Sequence, residues 1–386
     1  MTIALWRAVR EVSDWASADP AERGALFGAM SGVMRERLIY ASSREPELAD
    51  SFGVFGTLHV SPTVLTGAEI AAACEEVVAW ADQRSLVHTA FLFAEAAARV
   101  LPDDPARSSH AGRWARHAGQ WHRAEIWFDR ARGLAARHRL RRELIRALLG
   151  AGSLYREIGQ YAQARALIDR GARLASATRR HRQAAEAEHD LMAIAAEAGT
   201  YQEAEMHVRA ALMHYPLRHP GVPRMVHDWG FLLVRHRLYP QAFEVLVDLP
   251  VHANRPELES LYNGTLARAA AGAGRRDMYE RARARVLTLT GLHQEYAAAA
   301  LANTAEAARH FGRWDEGEHL AGRAVELARE RGEADVQRGA LEILDAISTR
   351  KPPEVPADPP QPNRLETISR HMLYLLGQRK KGCGGR

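Results

Sequence analysis

Cysteine is almost missing from this chain of 386 residues, aromatic side chains make up only 7%, and no long apolar run occurs. Two cysteines, Cys74 and Cys383, exclude a disulfide framework and fit a reducing compartment; Cys74 falls on the apolar face of an expected helix, as a small buried hydrophobe does. No segment approaches the ~18 apolar residues of a membrane span. The opening MTIALWRAVREVSDW carries arginines and acids inside its apolar stretch, unlike a secretory signal. A soluble, cytoplasmic protein is expected. β-branched material is scarce, whereas alanine, leucine, glutamate and arginine dominate, so the chain should be helical with almost no sheet.

Signatures of chemistry are also lacking. There is no Walker loop, GxSxG elbow, HExxH helix or Cys-x-x-Cys pair, and the glycine-rich GALFGAMSG has no lysine for a phosphate. His110, His117 and His122 lie close in sequence, but the turn at Gly119 separates the last of them and no carboxylate or cysteine completes a ligand set nearby. No enzyme activity, cofactor or metal is therefore expected. The formal charge is +5, carried mostly by arginine, which favours an acidic partner over a cationic one. Eighteen histidines add charge below neutral pH.

What the chain has is self-similarity. GQWHRAEIWFDRA, GQYAQARALIDRG, GTYQEAEMHVRAA and GRWDEGEHLAGRA begin at Gly119, Gly159, Gly199 and Gly312. Weaker copies start at Ser85, Arg237 and Gly274, so the steps are 34, 40, 40, 38, 37 and 38 residues. A repeated helix pair that cannot bury its own apolar face must stack on its neighbours, and seven such pairs follow.

Residues 1–66 do not match the repeat. Leu5, Val9, Val12 and Trp15 recur at helical spacing, Asp19-Pro20 with Glu22 reads as a second helix start, and Ser51 to Gly67 has the Gly, Thr, Ser and Pro content of a loop. Two or three helices should form an N-terminal cap joined by that loop to the repeats at 67–349. The repeats should end in a capping helix over Val336 to Ile347. Residues 350–363, with six prolines between Lys351 and Asn363, should be an extended semi-rigid linker. Within 364–386, Leu365, Ile368, Met372, Leu373, Leu375 and Leu376 form the apolar side of a short helix, followed by a flexible basic KKGCGGR tail. That helix either packs back onto the repeats or serves as a docking peptide or self-occupant of a groove; a membrane-surface role fits its short length poorly.

In each pair small and bulky positions recur together. Leu148, Ala151, Gly152 and Tyr155 precede Gly159, with Tyr161, Ala164, Ile168 and Gly171 after it. Trp121, Ala124, Phe128 and Ala131, or Tyr201, Ala204, Val208 and Ala211, repeat the second half. The small side chains let two helices approach while the large ones fill the space to the next pair. Over residues 68 to 331 this pattern resembles the tetratricopeptide repeat. The steps exceed the usual 34-residue unit, Arg237 stands where a turn glycine is expected, and Arg276 stands where an aromatic is expected. The resemblance implies an all-α, right-handed superhelical α-solenoid of about seven hairpins with helical caps at both ends.

It also implies that the first helix of each pair lines a concave groove, two, three, six, ten and thirteen residues before each turn. Counting back gives Arg113, Arg116 and His117 before Gly119, Arg146 and Arg156 before Gly159, and His189 before Gly199. His227, Arg235 and also Arg224 precede Arg237, Arg268 precedes Gly274, and Arg309 and His310 precede Gly312. Eight arginines face four glutamates, Glu157, Glu186, Glu197 and Glu306. Planar guanidinium groups suit carboxylates or phosphates. The groove is therefore expected to take an acidic peptide or protein segment, with the plain alternative that these arginines solubilise a helix face.

Two further clusters, Arg137-His138-Arg139 with Arg141-Arg142 and Arg179-Arg180-His181-Arg182, fall in equivalent connections on one rim. Phosphate contact is one reading; the preference of cations for helix C-termini is the favoured one. Glu47 to Val54 is similar to the first half of a helix-turn-helix, but no basic recognition helix follows, so nucleic acid is not expected as partner. The sequence thus points to a non-catalytic scaffold for an acidic peptide or protein. The alternative is a ligand- or peptide-sensing regulator, transcriptional in one version, whose C-terminal tail or N-terminal region signals the bound state.

Overall fold

The computed structural model describes residues 3–27, 31–84, 86–249, 256–291, 296–358 and 361–377. Among them nineteen α-helices and no strand are found. Three helices come first, α1 (Ile3–Ser17), α2 (Ser31–Arg44) and α3 (Ala49–Val60). Helix pairs follow in chain order: α4 (Gly67–Gln83) and α5 (Val87–Val100), α6 (Pro105–His117) and α7 (Trp121–Arg137), α8 (Arg141–Glu157) and α9 (Tyr161–Ala177). Then come α10 (His181–Glu197) and α11 (Tyr201–His214), α12 (Val222–Arg235) and α13 (Tyr239–Leu246), α14 (Pro256–Gly272) and α15 (Arg276–Thr290), α16 (Ala297–Arg309) and α17 (Trp314–Arg331). The last two are α18 (Ala334–Ser348) and α19 (Pro362–Leu375). The chain divides into two compact units, Met1–Ile194 and Ala195–Arg386.

One local device closes the hairpins. Gly119, Gly159, Gly199, Gly274 and Gly312 all sit at positive φ, between 66° and 77°. At each, two amides fold back onto the preceding helix: Gly119 N–H reaches the Arg116 carbonyl at 3.0 Å, and Gln120 N–H reaches Ala115 at 2.8 Å. This is the Schellman end, which satisfies carbonyls the helix leaves open. Arg237 adopts φ 60°, its amide donates to the Val234 carbonyl and the Leu238 amide to that of Leu233, so the turn survives without its glycine. Arg139 and Arg179, inside the two basic rim clusters, end α7 and α9 identically at φ 55° and 53°. The turn at Ser85 and the KKGCGGR tail with Cys383 lie outside the described residues.

Packing between paired helices follows the small and bulky pattern. A Cβ on Gly152 would lie 2.4 Å from Ile168 Cγ1, and one on Gly150 would lie 2.3 Å from the Phe128 ring, so the absent methyl groups are what admits these side chains. In the first unit the core joins Leu5, Val12 and Trp15 of α1 to Phe52, Phe55 and Leu58 of α3 and on to Cys74, Val77 and Phe93. Helix α4 opens on a capping box in which Thr66 and Glu69 satisfy each other's amides.

Two expectations at the N-terminus are corrected. Residues 51–60 are helix, not loop: Phe52, Phe55 and Leu58 recur at helical spacing and are buried, which outweighs the weak helix preference of Gly53, Gly56 and Thr57. The connection to α4 is only 61–66, and the partial helix-turn-helix likeness dissolves because its turn lies within α3. Asp19-Pro20 starts no α-helix. Asp19 instead accepts from the Ala21 amide at 2.9 Å in a turn that leads to a 3-10 stretch at Arg23–Ala25 without buried residues. Without an apolar face to cover, the start signal has nothing to propagate.

In the second unit α14 and α16 approach so closely that a Cβ on Gly264 would lie 2.7 Å from Ala300 Cα. The Tyr239 ring lies over Gly272 in the same way, 2.2 Å from a Cβ built there. Helix α18 covers α16 and α17, with Ala340 and Ile347 buried against Leu301 and Leu320. Helix α19 returns to the repeats, burying Leu365, Ile368, Met372 and Leu375 against α11, α12 and α13, while Arg218 N–H donates to the Leu375 carbonyl at 2.7 Å. Of the two roles open for this helix, packing back onto the repeats is the one observed.

Gly264→Ala should destabilise the protein, because the obstacle is backbone that cannot rotate away; overpacking costs about 1–3 kcal/mol and exceeds the roughly 1 kcal/mol of helix propensity gained. Arg139→Gly should act oppositely. Relief of the left-handed conformation, about 1–2 kcal/mol, outweighs about 0.4–1 kcal/mol of added chain entropy. Thermal denaturation of the two variants checks both signs.

Candidate functional site

The first unit gathers charge along one helix of each pair, α4, α6, α8 and the part of α10 within it. Helix α6 places Arg113, Arg116 and His117 along its last turns, and α8 places Arg146 and Arg156. These come together: the Arg113 guanidinium is drawn below its ordinary value by burial first, with the charges of Arg116 and Arg146 acting in the same direction and Asp82 and Glu75 opposing. Arg113 nevertheless reaches solvent. Arg116 is paired with Glu157 across α6 and α8, and Arg146 lies 2.9 Å from Glu143 one turn before it. His117 packs its ring beside Trp114 at 5.6 Å. Arg156 and His189 are half-buried. Arg113 and Arg146 are the exposed cations of this group.

Acidic partners flank them on both sides. Glu75 of α4 accepts from Arg107 at 3.0 Å and lies 2.9 Å from His110 Nδ1. Burial opposes ionisation of Glu75, but the hydrogen bond and charge of His110 and the charge of Arg107 outweigh it and hold the carboxyl below its usual range. Trp114 Nε1 donates to His110 Nε2 at 2.9 Å, which leaves Nδ1 to carry the proton toward Glu75. His110 is thereby engaged on both nitrogens. His122 is largely exposed beside Glu125. On the α10 side Ser153 donates to Asp190 at 3.0 Å. Glu75, Asp82 and Asp190 add acid beside the arginines beyond the four glutamates, and Glu75 and Asp82 stand ten and three residues before the weak turn at Ser85.

The second unit treats its share of the counted residues differently. His227 is buried, 2.9 Å from Asp228 Oδ1 and 3.0 Å from Thr265 Oγ1, and stacked on Tyr262 at 4.6 Å. It is a packed side chain. Arg235 is exposed and donates to the Ala196 carbonyl at 3.3 Å. Arg268 is half-buried, 3.4 Å from Asn303 Oδ1. Arg309 is 6% exposed, paired with Glu306 at 2.5 Å, and its Nη2 donates to the carbonyls of Lys351 and Pro352 at 3.1 and 2.9 Å. The proline-rich linker therefore occupies this counted position.

His310 adjoins the same cluster, edge-on to the Tyr239 ring at 5.4 Å. Burial lowers its pKa to about 4, helped by the charges of Arg268 and Arg309 and opposed by Glu354 of the linker. The six prolines announced an extended segment but carried no signal of where it would lie. The interaction of Arg309 is with main-chain carbonyls, which every residue has.

Elsewhere, an uncharged open cleft of about 470 Å³ lies between α2 and α3, lined by Leu38, Phe52, Gly56 and Val60 among others. Among the described residues no group of three metal-ligating side chains converges, and no helix is long and apolar enough to cross a membrane.

No family model and no curated protein sequence matches the chain. Among solved structures it is similar to the Rap conjugation gene regulator of the plasmid pLS20 in complex with a Phr peptide, at 14% identity over 95% of this chain and 97% of that one, TM-score 0.46. It is also similar to a Rap protein complexed with competence and sporulation factor, at 11% identity over 90% and 98%, TM-score 0.39. A designed circular tandem repeat protein gives 15% identity over 97% and 90%, TM-score 0.18. At scores below 0.5 these likenesses decide neither partner nor mechanism.

The lowered pKa of His310 has a definite sign. Between about 4 and 6.5 the unfolded chain binds a proton that the folded chain does not, so stability falls as pH drops through that window and is unaffected above it. His310→Asn should lose less melting temperature than the unaltered protein between pH 7 and pH 4.5. Equal losses in the two proteins would remove His310 as a source of acid sensitivity.

Proposed function

We propose that this chain is a non-catalytic helical-repeat protein of tetratricopeptide type that binds an acidic peptide or protein segment on the α6 and α8 face of its first unit, in a reducing cytoplasmic setting. The observation that carries the reading is the exposure of Arg113 and Arg146 on the neighbouring helices α6 and α8. An exposed guanidinium group offers an arriving carboxylate two parallel hydrogen bonds. Arg116, half-buried and paired with Glu157 of the neighbouring helix, fixes the geometry between the helices; the exposed Arg113 engages the ligand, together with Arg146, which is also exposed although it is paired with Glu143 on its own helix. The flanking carboxylates Asp82 and Asp190 set the width of the cationic strip and repel acidic chains in any other register.

The same arrangement supports binding over catalysis. His110 on this face is locked between Glu75 and Trp114 and has no open nitrogen to offer a substrate. The test is selection of a random-sequence displayed peptide library on the full-length protein. Enriched peptides should be rich in Asp and Glu, and Arg113→Glu with Arg146→Glu should weaken a selected acidic peptide at least tenfold. Enrichment without acidic bias, or unchanged affinity in the double variant, would overturn the reading.

A further inference from the structure

The second unit holds a peptide of its own. Residues 351–358 leave α18 as extended chain and run back along the hairpin turns, first past the end of α16 and then past the α12–α13 turn. Arg309 donates to two successive carbonyls, Lys351 at 3.1 Å and Pro352 at 2.9 Å. The Ala357 amide then donates to the Arg237 carbonyl at 2.9 Å, and the Glu354 carboxylate lies 3.8 Å from Arg237 Nε. Ala357 and Asp358 end against Gly199, Tyr201, His236 and Leu238, where a further open volume of about 340 Å³ remains beside them.

This is a built site. Its central donor is Arg309, whose side chain is 5% exposed and fixed by that of Glu306, 4% exposed, so the fork is aimed before anything reaches it. Its ligand atoms are main-chain carbonyls, each preceding a proline. An extended proline-rich chain makes no internal hydrogen bonds and presents its carbonyls freely, at low ordering cost. The charge is complementary: Glu354 faces Arg237 and acts electrostatically on His310 and Tyr239 at the same spot. The features read are thus two adjacent carbonyls beside prolines, a carboxylate two residues on, and an amide three residues beyond that.

We infer that this strip of the second unit is a binding site for an extended, proline-containing acidic segment presented by another protein, and that residues 351–358 hold it as a tethered competitor. Tethering through α18 and α19 gives the internal segment an effective concentration on the order of millimolar, so a free segment of the same sequence competes only near that concentration. Loosening the internal segment opens the strip. The inference is separate from the α6 and α8 face of the first unit.

The test uses the full-length protein and the labelled peptide KPPEVPAD, the sequence of residues 351–358. A loosened variant carries Pro352→Gly, Pro353→Gly, Pro356→Gly and Glu354→Lys, leaving α19 in place. It should bind the peptide at least tenfold more tightly than the unaltered protein, and a charge-reversed KPPKVPAK peptide should not bind. Arg237→Gly, whose left-handed backbone glycine accepts, should lose at least tenfold in the loosened background, whereas Arg113→Glu should change nothing there. In the unaltered protein, hydrogen exchange at the Ala357 amide should accelerate at 10 mM unlabelled peptide, on the order of the effective concentration above. Equal peptide affinity in the loosened and unaltered proteins would overturn the inference, as would Ala357 protection that neither loosening nor excess peptide reduces.

Discussion

Each of the hairpin turns at 119, 159, 199, 237, 274 and 312 depends on one residue entering the left-handed region, with its own amide and the next returned to the helix just left. The bond pair at Gly119 and Gln120, repeated at Gly159, Gly199, Gly274 and Gly312, stops the helix, satisfies its last carbonyls and reverses the chain within two residues. Reversal that tight presses the second helix on the first, and only small side chains at the crossings make the contact possible. Gly152 under Ile168 and Gly264 against Ala300 are the same requirement met within a pair and between neighbouring pairs. Arginine at 139, 179 and 237 shows that the bond pattern, rather than the glycine, is the constraint.

Stacking pairs in this way sorts charge by burial. In the first unit the arginines of α6 and α8 lie close enough to act on one another while Arg113 and Arg146 keep access to solvent. In the second unit α14 and α16 approach closely at Gly264. Glu306 and Arg309 are buried together there, and a buried ion pair costs less when its remaining donors find acceptors. The carbonyls of Lys351 and Pro352 accept from Arg309 Nη2, whereas its Nε has no partner among the described residues. One counting rule along the repeat therefore yields an open cationic face in one unit and a filled clamp in the other.

Most helices and nearly every turn were legible in the residues. Turn positions 119, 159, 199, 237, 274 and 312 all close hairpins, and the capping helix over Val336–Ile347 lies within α18. In residues 51–60 the local composition of Gly53, Gly56 and Thr57 signals a loop, while the spacing of the buried Phe52, Phe55 and Leu58 decides for helix. At the site, membership on the first helix of a pair was readable, but depth was not. His227 and Arg309 obey the same offsets as Arg113 and Arg116, yet they are buried, since depth depends on how near the next helix comes. Glu75 and Asp82 obey the offsets too, but the weak turn at Ser85 drew no count.

By itself the sequence determined that the chain is all helix, where each hairpin reverses, and which residues are small enough to lie between helices. These are properties of nearest neighbours and of period, and every residue carries them locally. Only the tertiary structure decided that Arg116 meets Glu157, that Arg113 and Arg146 remain accessible, and that residues 351–358 lie on Arg309 and Arg237. Those contacts join positions tens of residues apart through main-chain atoms and through the spacing of helices, and neither is written in the identity of any one side chain.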